Sequence, residues 1–207
     1  MNQKNSLGLN VCFGEDDNPL NLFKKWFDEA KKREINDPNA LSLATSDKKG
    51  IPSVRIVLLK DLQDDSFVFY TNLNSEKSKS LNENSTASMC FYWKSISRQI
   101  RVTGKVNLVS SEVADEYFSS RPYDSKIGAW ASNQSTVLKN RDEIITSIEN
   151  FKKKYPKSKE VPRPSHWSGW KLKPDTIEFW LEGKNRIHER LKYIKKKNKW
   201  QKILLSP

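Results

Sequence analysis

The first clear pattern in the chain is that of an amphipathic helix. Asn18-Pro19 supplies an N-cap followed by a proline at the first helical position, and Asn36-Asp37-Pro38 ends the element. Between them the apolar residues recur at helical spacing: Leu22, Phe23, Trp26, Phe27 and Ala30. Residues 1–17 are polar and aperiodic, so we expect a mobile N-terminal arm.

After residue 40 the apolar period becomes that of β-strands. The predicted strands are 41–44, 53–60, 67–70, 87–93 and 99–109, with a turn at 46–50 and a candidate β-bulge at Gly104. A short helix capped by Asn74 or Ser75 and running to about Asn82 interrupts them. A strand that leads into a capped helix with lysines in its first turn is compatible with a phosphate site, although this signal is weak alone.

The chain then predicts a helical insertion followed by more strands. The predicted helices are 111–119, 125–131 and 140–154, and the later strands are 167–172, 177–181, 186–194 and 200–204. We expect these late strands to complete the sheet that begins at residue 40. The prediction is an α+β fold that is mainly β, with one antiparallel barrel domain over residues 18–207 and a helical insertion at about 111–154.

Residues 178–190 hold a dense group of candidate functional side chains. Read as two strands joined by a turn at 182–185, they place Arg186, His188 and Arg190 on one face, because side chains two apart on a strand point the same way. An imidazole between two guanidinium groups suits an anionic ligand. A solvated edge strand is equally compatible with these residues alone.

The charge balance adds a class of ligand to this picture. Lys+Arg 37 against Asp+Glu 25 gives a net charge of +12, which is compatible with nucleic acid, anionic membranes or phosphorylated small molecules. The hydrophobic fraction is only 36%, but 7 Trp and 9 Phe supply large side chains for a core.

Several common sites are excluded by the residues available. Cys12 and Cys90 lie far apart and the histidines are only His166 and His188, so we expect no disulfide framework and no metal site. The 7 glycines fall singly, so neither GxGxxG nor a P-loop can be formed, and any nucleotide or flavin must be held in another way. The absence of a long apolar run and of a signal-peptide core favours a cytoplasmic protein without a membrane partner.

Seven separated segments match one known family and occur in the same order as in that family. They are residues 55–60, 69–72, 98–104, 117–122, 124–131, 133–135 and 178–190. In these segments the chain resembles the FMN-dependent pyridoxamine (pyridoxine) 5′-phosphate oxidases. Ordered agreement from about residue 19 to the C-terminus is far more specific than any single motif.

The resemblance implies a split β-barrel homodimer with FMN in clefts at the subunit interface. The positions that match the family's flavin-binding residues are Arg55, Ile56, Val57, Leu58, Leu59, Lys60, Tyr70, Thr71, Lys77, Gln99, Gln134, Ser135, Trp180 and Arg190. Those that match its substrate-binding residues are Lys60, Tyr117, Arg121, Ser125, Arg186 and His188. Some of the flavin-binding residues would come from each subunit.

The implied reaction converts pyridoxamine or pyridoxine 5′-phosphate to pyridoxal 5′-phosphate. Hydride passes from the 4′ carbon to FMN, and O2 reoxidises the flavin with release of H2O2. Two cations and two hydroxyls match the substrate phosphate: Lys60, Arg121, Tyr117 and Ser125. Arg186 and His188 are the candidate catalytic residues that hold the substrate ring against the flavin. A base role for His188 at the 4′ amine or hydroxyl is a hypothesis.

The chain departs from the family pattern at two places. Glu76 stands where a second basic residue is common, and we expect its side chain to point to solvent while Lys77, Arg55 and Lys79 suffice for the flavin phosphate. Residues 1–17 lack the basic, tyrosine-containing arm that covers the substrate in some relatives, so a lid there is in doubt.

Two other functions are compatible with parts of the sequence. The first is an FMN-dependent oxidase of another substrate on the same barrel, as in phenazine biosynthesis. The second is a basic barrel that binds single-stranded nucleic acid through exposed Trp and Tyr. The ordered match and the Tyr117, Arg121 and Ser125 set favour the phosphate oxidase, for which we expect no nucleic-acid partner.

Overall fold

The computed structural model describes residues 16–207, which form one continuous sheet with helices packed around it. The N-terminal elements are α1 (Pro19–Arg33), β1 (Ala40–Ser46), β2 (Pro52–Leu58), β3 (Asp61–Gln63), β4 (Ser66–Asn72), α2 (Glu76–Glu83), β5 (Thr86–Trp93) and β6 (Arg98–Leu108). The C-terminal elements are α3 (Ser111–Ser120), α4 (Tyr123–Ala131), α5 (Asp142–Lys154), β7 (Trp167–Leu181), β8 (Glu189–Lys196) and β9 (Lys199–Leu205). Most predicted boundaries lie within two residues of these.

All strand pairs in the sheet are antiparallel. The order is β2-β1-β5-β6-β7-β4-β3, and β8 pairs with both β7 and β9. The first half of β7 pairs with β4 and its second half with β8, while β6 runs along most of its other edge. The sheet curls because one long strand exchanges partners along its length, and strands from both sides of the helical insertion meet there.

Helix α1 closes one side of the sheet. The Asn18 side chain accepts a hydrogen bond from the Leu20 amide at 3.0 Å, so the predicted N-cap is confirmed. Phe23 is fully buried, with its ring edge-on to Phe67 at 4.8 Å and to Phe91 at 5.3 Å. Burying one such side chain contributes about 1.5–3 kcal/mol, so the aromatic stripe of α1 serves the core.

A buried ion pair also ties α1 to the sheet. The Arg98 side chain at the start of β6 is 4% exposed, and its Nη1 donates to Glu29 Oε2 at 2.6 Å. Its guanidinium also lies 4.7 Å from the centre of the Trp26 ring. The cation therefore has both a carboxylate and an aromatic face from the same helix.

The two strands predicted at 167–172 and 177–181 are a single strand, β7. Thr103 pairs with Thr176 while Gly104 pairs with Pro174, so Asp175 is an extra residue at a bulge. The register shifts between Thr103 and Gly104, so the predicted bulge at Gly104 is confirmed. A Cβ at this position would collide with the Lys173 carbonyl, which explains the glycine. In a sequence, a proline such as Pro174 indicates the end of a strand, but a strand tolerates proline at a bulge.

The predicted strand 186–194 is wrong at its start, because β8 begins only at Glu189. Lys184–Arg186 forms a short 3₁₀ turn in which Asn185 and Arg186 have φ of 56° and 64°. Gly183 is required by this turn, since a Cβ there would collide with the Ile187 carbonyl. Arg186, His188 and Arg190 therefore do not lie along one strand face.

Two further predictions concern residues outside regular strands. No strand is predicted between residues 60 and 67, but Asp61–Gln63 is a short strand that pairs with β4 around a turn at Asp64 and Asp65, whose φ values are 48° and 60°. The predicted mobile arm lies outside the described residues except for Asp16 and Asp17. The Asp16 carbonyl accepts from Tyr193 Oη at 2.8 Å.

Candidate active site

A polar cavity of about 550 Å³ lies beside the edge strand β2 and the N-terminus of α2. It brings together ten of the predicted flavin-binding residues: Arg55, Ile56, Val57, Leu58, Lys60, Tyr70, Thr71, Lys77, Gln134 and Ser135. Ser53, Val54 and Glu76 also line it. Leu59 does not line this cavity, since its side chain is 4% exposed and belongs to the core.

Two cations in this cavity lack a carboxylate partner among residues 16–207. Lys77 is 7% exposed, and its Nζ donates to Thr71 Oγ1 at 3.1 Å and to Ser75 Oγ at 3.3 Å. Arg55 donates to Thr45 Oγ1 at 2.8 Å and to Ser53 Oγ at 2.7 Å. Burial lowers the pKa of both groups, and Arg55 lowers the pKa of Lys77 further. Such a desolvated cationic pair favours a bound anion.

The surroundings of this pair extend the anion site. The Glu76 backbone amide, at the start of α2, lies 3.4 Å from Ser135 Oγ, so the helix N-terminus faces the loop that carries Gln134. Glu76 is exposed but also lines the cavity, so the expectation of a side chain that points to solvent is met only in part. Its negative charge opposes the lowering of the Arg55 pKa by burial. Lys79 is exposed and is not among the lining residues.

A second cavity of about 380 Å³ adjoins the first and shares Tyr70, Thr71 and Gln134 with it. The predicted substrate residues Arg121 and Ser125 line it. Lys60 lines only the first cavity of this pair. Lys60 and Arg121, the two cations predicted to bind the substrate phosphate, therefore lie on opposite sides of the shared wall.

Arg121 is the principal cation of the second cavity. Its Nη1 is buried and has no hydrogen-bond partner among the described residues, and its guanidinium lies 4.7 Å from the centre of the Trp167 ring. Burial lowers the pKa of Arg121, and Tyr117 opposes this shift. A buried N–H donor without a partner costs free energy unless a ligand accepts from it.

Three parallel aromatic rings stack beside the two cavities: Tyr70 lines both, Trp167 lines only the smaller, and Tyr117, a predicted substrate residue, lines neither. Tyr70 stacks on Tyr117 with ring centres 3.9 Å apart and on Trp167 at 5.3 Å, with interplanar angles of 8° and 7°. Burial raises the pKa of Tyr70 to about 12, and Tyr117, Asp61 and Glu116 add to the shift. The Tyr70 phenol is therefore neutral and available as a hydrogen-bond donor at neutral pH.

The remaining predicted flavin residues form a separate row across three strands. Gln99 on β6 pairs with Trp180 on β7, and Trp180 pairs with Arg190 on β8. Arg190 Nε and Nη2 donate to Glu178 Oε1 at 3.0 and 2.8 Å, and its Nη1 donates to the Ser206 carbonyl at 3.0 Å. These three residues line neither of the two cavities.

The turn before β8 fixes the orientation of His188. Its Nδ1 accepts from the Gly183 backbone amide at 3.3 Å, and its ring lies 4.7 Å from that of Trp180. An imidazole whose Nδ1 accepts a hydrogen bond carries its proton on Nε2 when neutral. The group that His188 can offer to a ligand is thus an N–H donor, which argues against the base hypothesis. The Arg186 side chain is exposed.

Sequence reasoning missed two residues that the geometry places beside the site. Trp167 lines the second cavity, and Glu178 holds Arg190. Neither residue lies in a sequence pattern that indicates a site. Trp167 comes shortly after the proline-containing segment 161–164, and Glu178 is an ordinary charged residue within a strand. Their positions depend on pairing across the sheet, which a single sequence does not specify.

Residues 16–207 contain no group of three or more His, Cys, Asp or Glu side chains able to hold a metal ion. No helix in this part of the chain is long and apolar enough to cross a membrane. All seven Trp side chains are buried or half-buried, which does not favour stacking of a nucleic acid on exposed indoles.

The curled antiparallel sheet and its cationic cavities define a split-barrel protein with a site for anionic ligands. Its solved structural relatives share this fold. PhzG of Burkholderia lata 383, solved with tetrahydrophenazine-1-carboxylic acid, has a TM-score of 0.88 and 28% identity, covering 93% of this chain and 94% of that one. A pyridoxamine 5′-phosphate oxidase-related, FMN-binding protein of Nostoc punctiforme has a TM-score of 0.73 and 16% identity, covering 89% of this chain and 97% of that one.

The sequence comparisons identify the family within this class. Residues 27–155 match the family described as pyridoxamine 5′-phosphate oxidase, and residues 167–207 match the pyridoxine 5′-phosphate oxidase C-terminal dimerisation region. The chain belongs to the pyridoxamine 5′-phosphate oxidase family. It is 63% identical to the pyridoxine/pyridoxamine 5′-phosphate oxidase of Pelagibacter ubique, with 100% of both chains covered. It is 45% identical to that of Allorhizobium ampelinum, covering 94% of this chain and 95% of that one.

Proposed function

We propose that this protein is an FMN-dependent oxidase that converts pyridoxamine and pyridoxine 5′-phosphates to pyridoxal 5′-phosphate, acting as a homodimer. The observation that carries the proposal is the pair of adjoining cavities. One contains Arg55 and Lys77 and the other Arg121, all without carboxylate partners among the described residues. Two desolvated cationic sites that share a wall fit two phosphorylated ligands in contact.

The donor set of the larger cavity fits FMN. Arg55, Lys77 and Ser135 can hold its phosphate, while the Gln134 amide can meet the mixed donor and acceptor edge of the flavin ring. The volume of about 550 Å³ lies within the usual range for small-molecule sites. When bound, FMN would supply a hydride acceptor for the substrate's 4′ carbon and a route for the two electrons to O2, which would become H2O2.

The smaller cavity supplies the groups for a substrate phosphate. Arg121 offers its unpaired Nη1 and Ser125 its hydroxyl, while Tyr117 stacks behind Tyr70. Lys60, which lines the larger cavity, is the remaining cation of the predicted phosphate-binding set. In this arrangement the protein fixes the substrate by its phosphate, so that its 4′ carbon faces the adjoining cavity.

The homodimer brings the separate row of residues into use. Trp180, His188 and Arg190 all lie in the segment that matches the dimerisation region, and Trp180 and Arg190 line neither cavity of their own chain. We place Gln99, Trp180 and Arg190 against the partner's FMN. Arg186 and His188 then hold the substrate ring, with His188 donating from Nε2. The proposal includes a cytoplasmic location, which the free Cys90 thiol fits.

Oxygen-dependent formation of pyridoxal 5′-phosphate by the FMN-loaded protein tests this function. Both phosphorylated substrates should give product, and unphosphorylated pyridoxamine should react poorly. Arg121→Met should raise the KM for pyridoxamine 5′-phosphate by about 100-fold, because a charged hydrogen bond to phosphate is lost. Turnover of a reduced phenazine carboxylate, without turnover of either phosphate, would overturn the proposal.

A further inference from the structure

We propose that Trp167 is a positioning residue for the substrate phosphate, acting through Arg121. The inference rests on the proposed function, and it concerns a residue outside the set predicted from the sequence. Trp167 is 6% exposed and lines the smaller cavity together with Arg121 and Ser125.

The indole face is the support of the Arg121 guanidinium. The distance from Arg121 Cζ to the ring centre is 4.7 Å for Trp167 and 5.6 Å for Phe118, and Arg121 forms no ion pair within residues 16–207. Indole is the strongest cation–π partner among the aromatic side chains. Because a ring face holds the guanidinium without accepting its N–H groups, Arg121 stays in place with Nη1 unpaired. A carboxylate partner would instead compete with the phosphate.

Hydrogen bonds hold the Trp167 backbone, and its ring packs against Tyr70, Tyr117 and Phe118. The Trp167 amide donates to the Pro164 carbonyl at 3.0 Å, and its carbonyl accepts from Arg163 Nη1 at 2.8 Å. Arg163 Nε also donates to Asp115 Oδ1 at 2.6 Å, on the helix that carries Tyr117. Trp167 is therefore linked to the helix that carries Tyr117 and ends just before Arg121, and its ring plane is parallel to that of Tyr117 within 2°.

The role predicts a specific kinetic change. Trp167→Leu should raise the KM for pyridoxamine 5′-phosphate and the inhibition constant of inorganic phosphate together, each by about 10-fold, because one cation–π support is lost. The kcat should change less than about threefold, and the KM for unphosphorylated pyridoxamine should not change. Trp167→Phe, which keeps a smaller ring face, should lie between the parent and Trp167→Leu.

Trp130→Leu is the matched control. Trp130 belongs to the same aromatic cluster and lies under Lys154 at 5.5 Å, but it lines neither cavity. The Trp130→Leu variant should have a lower thermal stability and an unchanged inhibition constant for phosphate. If Trp130→Leu and Trp167→Leu change stability and phosphate inhibition alike, Trp167 has only a structural role and the inference is wrong.

A double-mutant cycle tests whether Trp167 acts through Arg121. In an Arg121→Met background, Trp167→Leu should change phosphate affinity by less than about twofold, because the partner of the indole is gone. Equal effects in both backgrounds would overturn the inference. Phosphate affinity of the holoprotein, measured by calorimetry, needs no turnover. Absence of oxidase activity in the parent would therefore reject the proposed function while leaving the Trp167 dependence measurable.

Discussion

At the scale of single residues, the site is defined by which polar atoms are already engaged and which are not. Arg190 uses Nε, Nη1 and Nη2 within its own chain, whereas Arg121 leaves Nη1 without a partner in the described part of the protein. The first arginine is therefore locked in one orientation, and the second is prepared to receive an anion. The type of residue alone does not distinguish these two states.

The hydrogen bond from Gly183 to His188 leads to a prediction about catalysis. If Nε2–H donates to the substrate, His188→Gln should keep a donor near that atom and retain activity within about tenfold, with an unchanged shape of the pH profile of kcat/KM. The His188→Ala variant, which has no donor at this position, should lose more activity than His188→Gln. Steady-state kinetics across pH provide the measurement. Loss of one limb of the profile in His188→Gln would restore the base hypothesis.

Two tyrosines predict how the protein responds to alkali. Burial raises the pKa of Tyr70 and of Tyr193 to about 12, whereas an unfolded tyrosine ionises near pH 10. The unfolded state therefore loses these protons first, and stability that is complete below about pH 10 is lost as the pH rises towards 12. In an absorbance titration, the tyrosinate signal of Tyr70 and Tyr193 should appear late, as the pH approaches 12. Tyr70→Phe and Tyr193→Phe should each remove about half of that late amplitude.

At the scale of elements, helix α1 depends on one buried contact more than on its surface charges. Glu29→Ala should lower the free energy of unfolding by about 3 kcal/mol, because it removes a carboxylate that pairs with the buried Arg98 side chain. Asp28→Ala breaks an exposed pair with Lys31 on the same helix and should cost less than about 0.5 kcal/mol. Urea unfolding of both variants measures the difference, and equal effects would contradict the assignment.

Elements with strong local signals could be predicted from the sequence. Helix α1 has a cap, a proline and an apolar stripe, and most strands have a clear period of two, so their boundaries were close. The prediction failed at the turn before β8, where Arg186 takes a positive φ that its side chain does not favour. It also divided β7 at Pro174, because the bulge that tolerates this proline is a property of the pairing with β6.

The candidate site was predictable to a similar degree. The two cavities contain twelve of the residues that the family resemblance implied, whereas neither is lined by Leu59, Tyr117, Arg186, His188 or the row of Gln99, Trp180 and Arg190. The row remains a prediction that one chain alone does not test. Trp167 was missed because its contacts with Tyr70, Tyr117 and Arg121 join residues that are distant in sequence.

At the scale of the whole molecule, the proposed dimer makes each flavin site a product of two chains. Lys77→Ala and Arg190→Ala variants should each be nearly inactive alone. After mixing and re-association, about half of the dimers are mixed and each mixed dimer keeps one intact site, so about a quarter of the parent activity should return. Activity of mixed and unmixed samples gives the measurement. No recovery, despite confirmed mixed dimers, would mean that the row serves its own chain.

The bulge between β6 and β7 determines where Trp167 and Trp180, the two β7 indoles outside the main core, lie. Before Asp175 the core-facing residues of β7 are Trp170 and Leu172, and after it they are Ile177, Phe179 and Leu181. The extra residue thus reverses the alternation of even and odd positions. Trp167 and Trp180, one odd and one even, consequently share the face of β7 that points away from the core. Deleting Asp175 would send one of them into the core, so a single inserted residue lets one strand contribute to both proposed ligand sites.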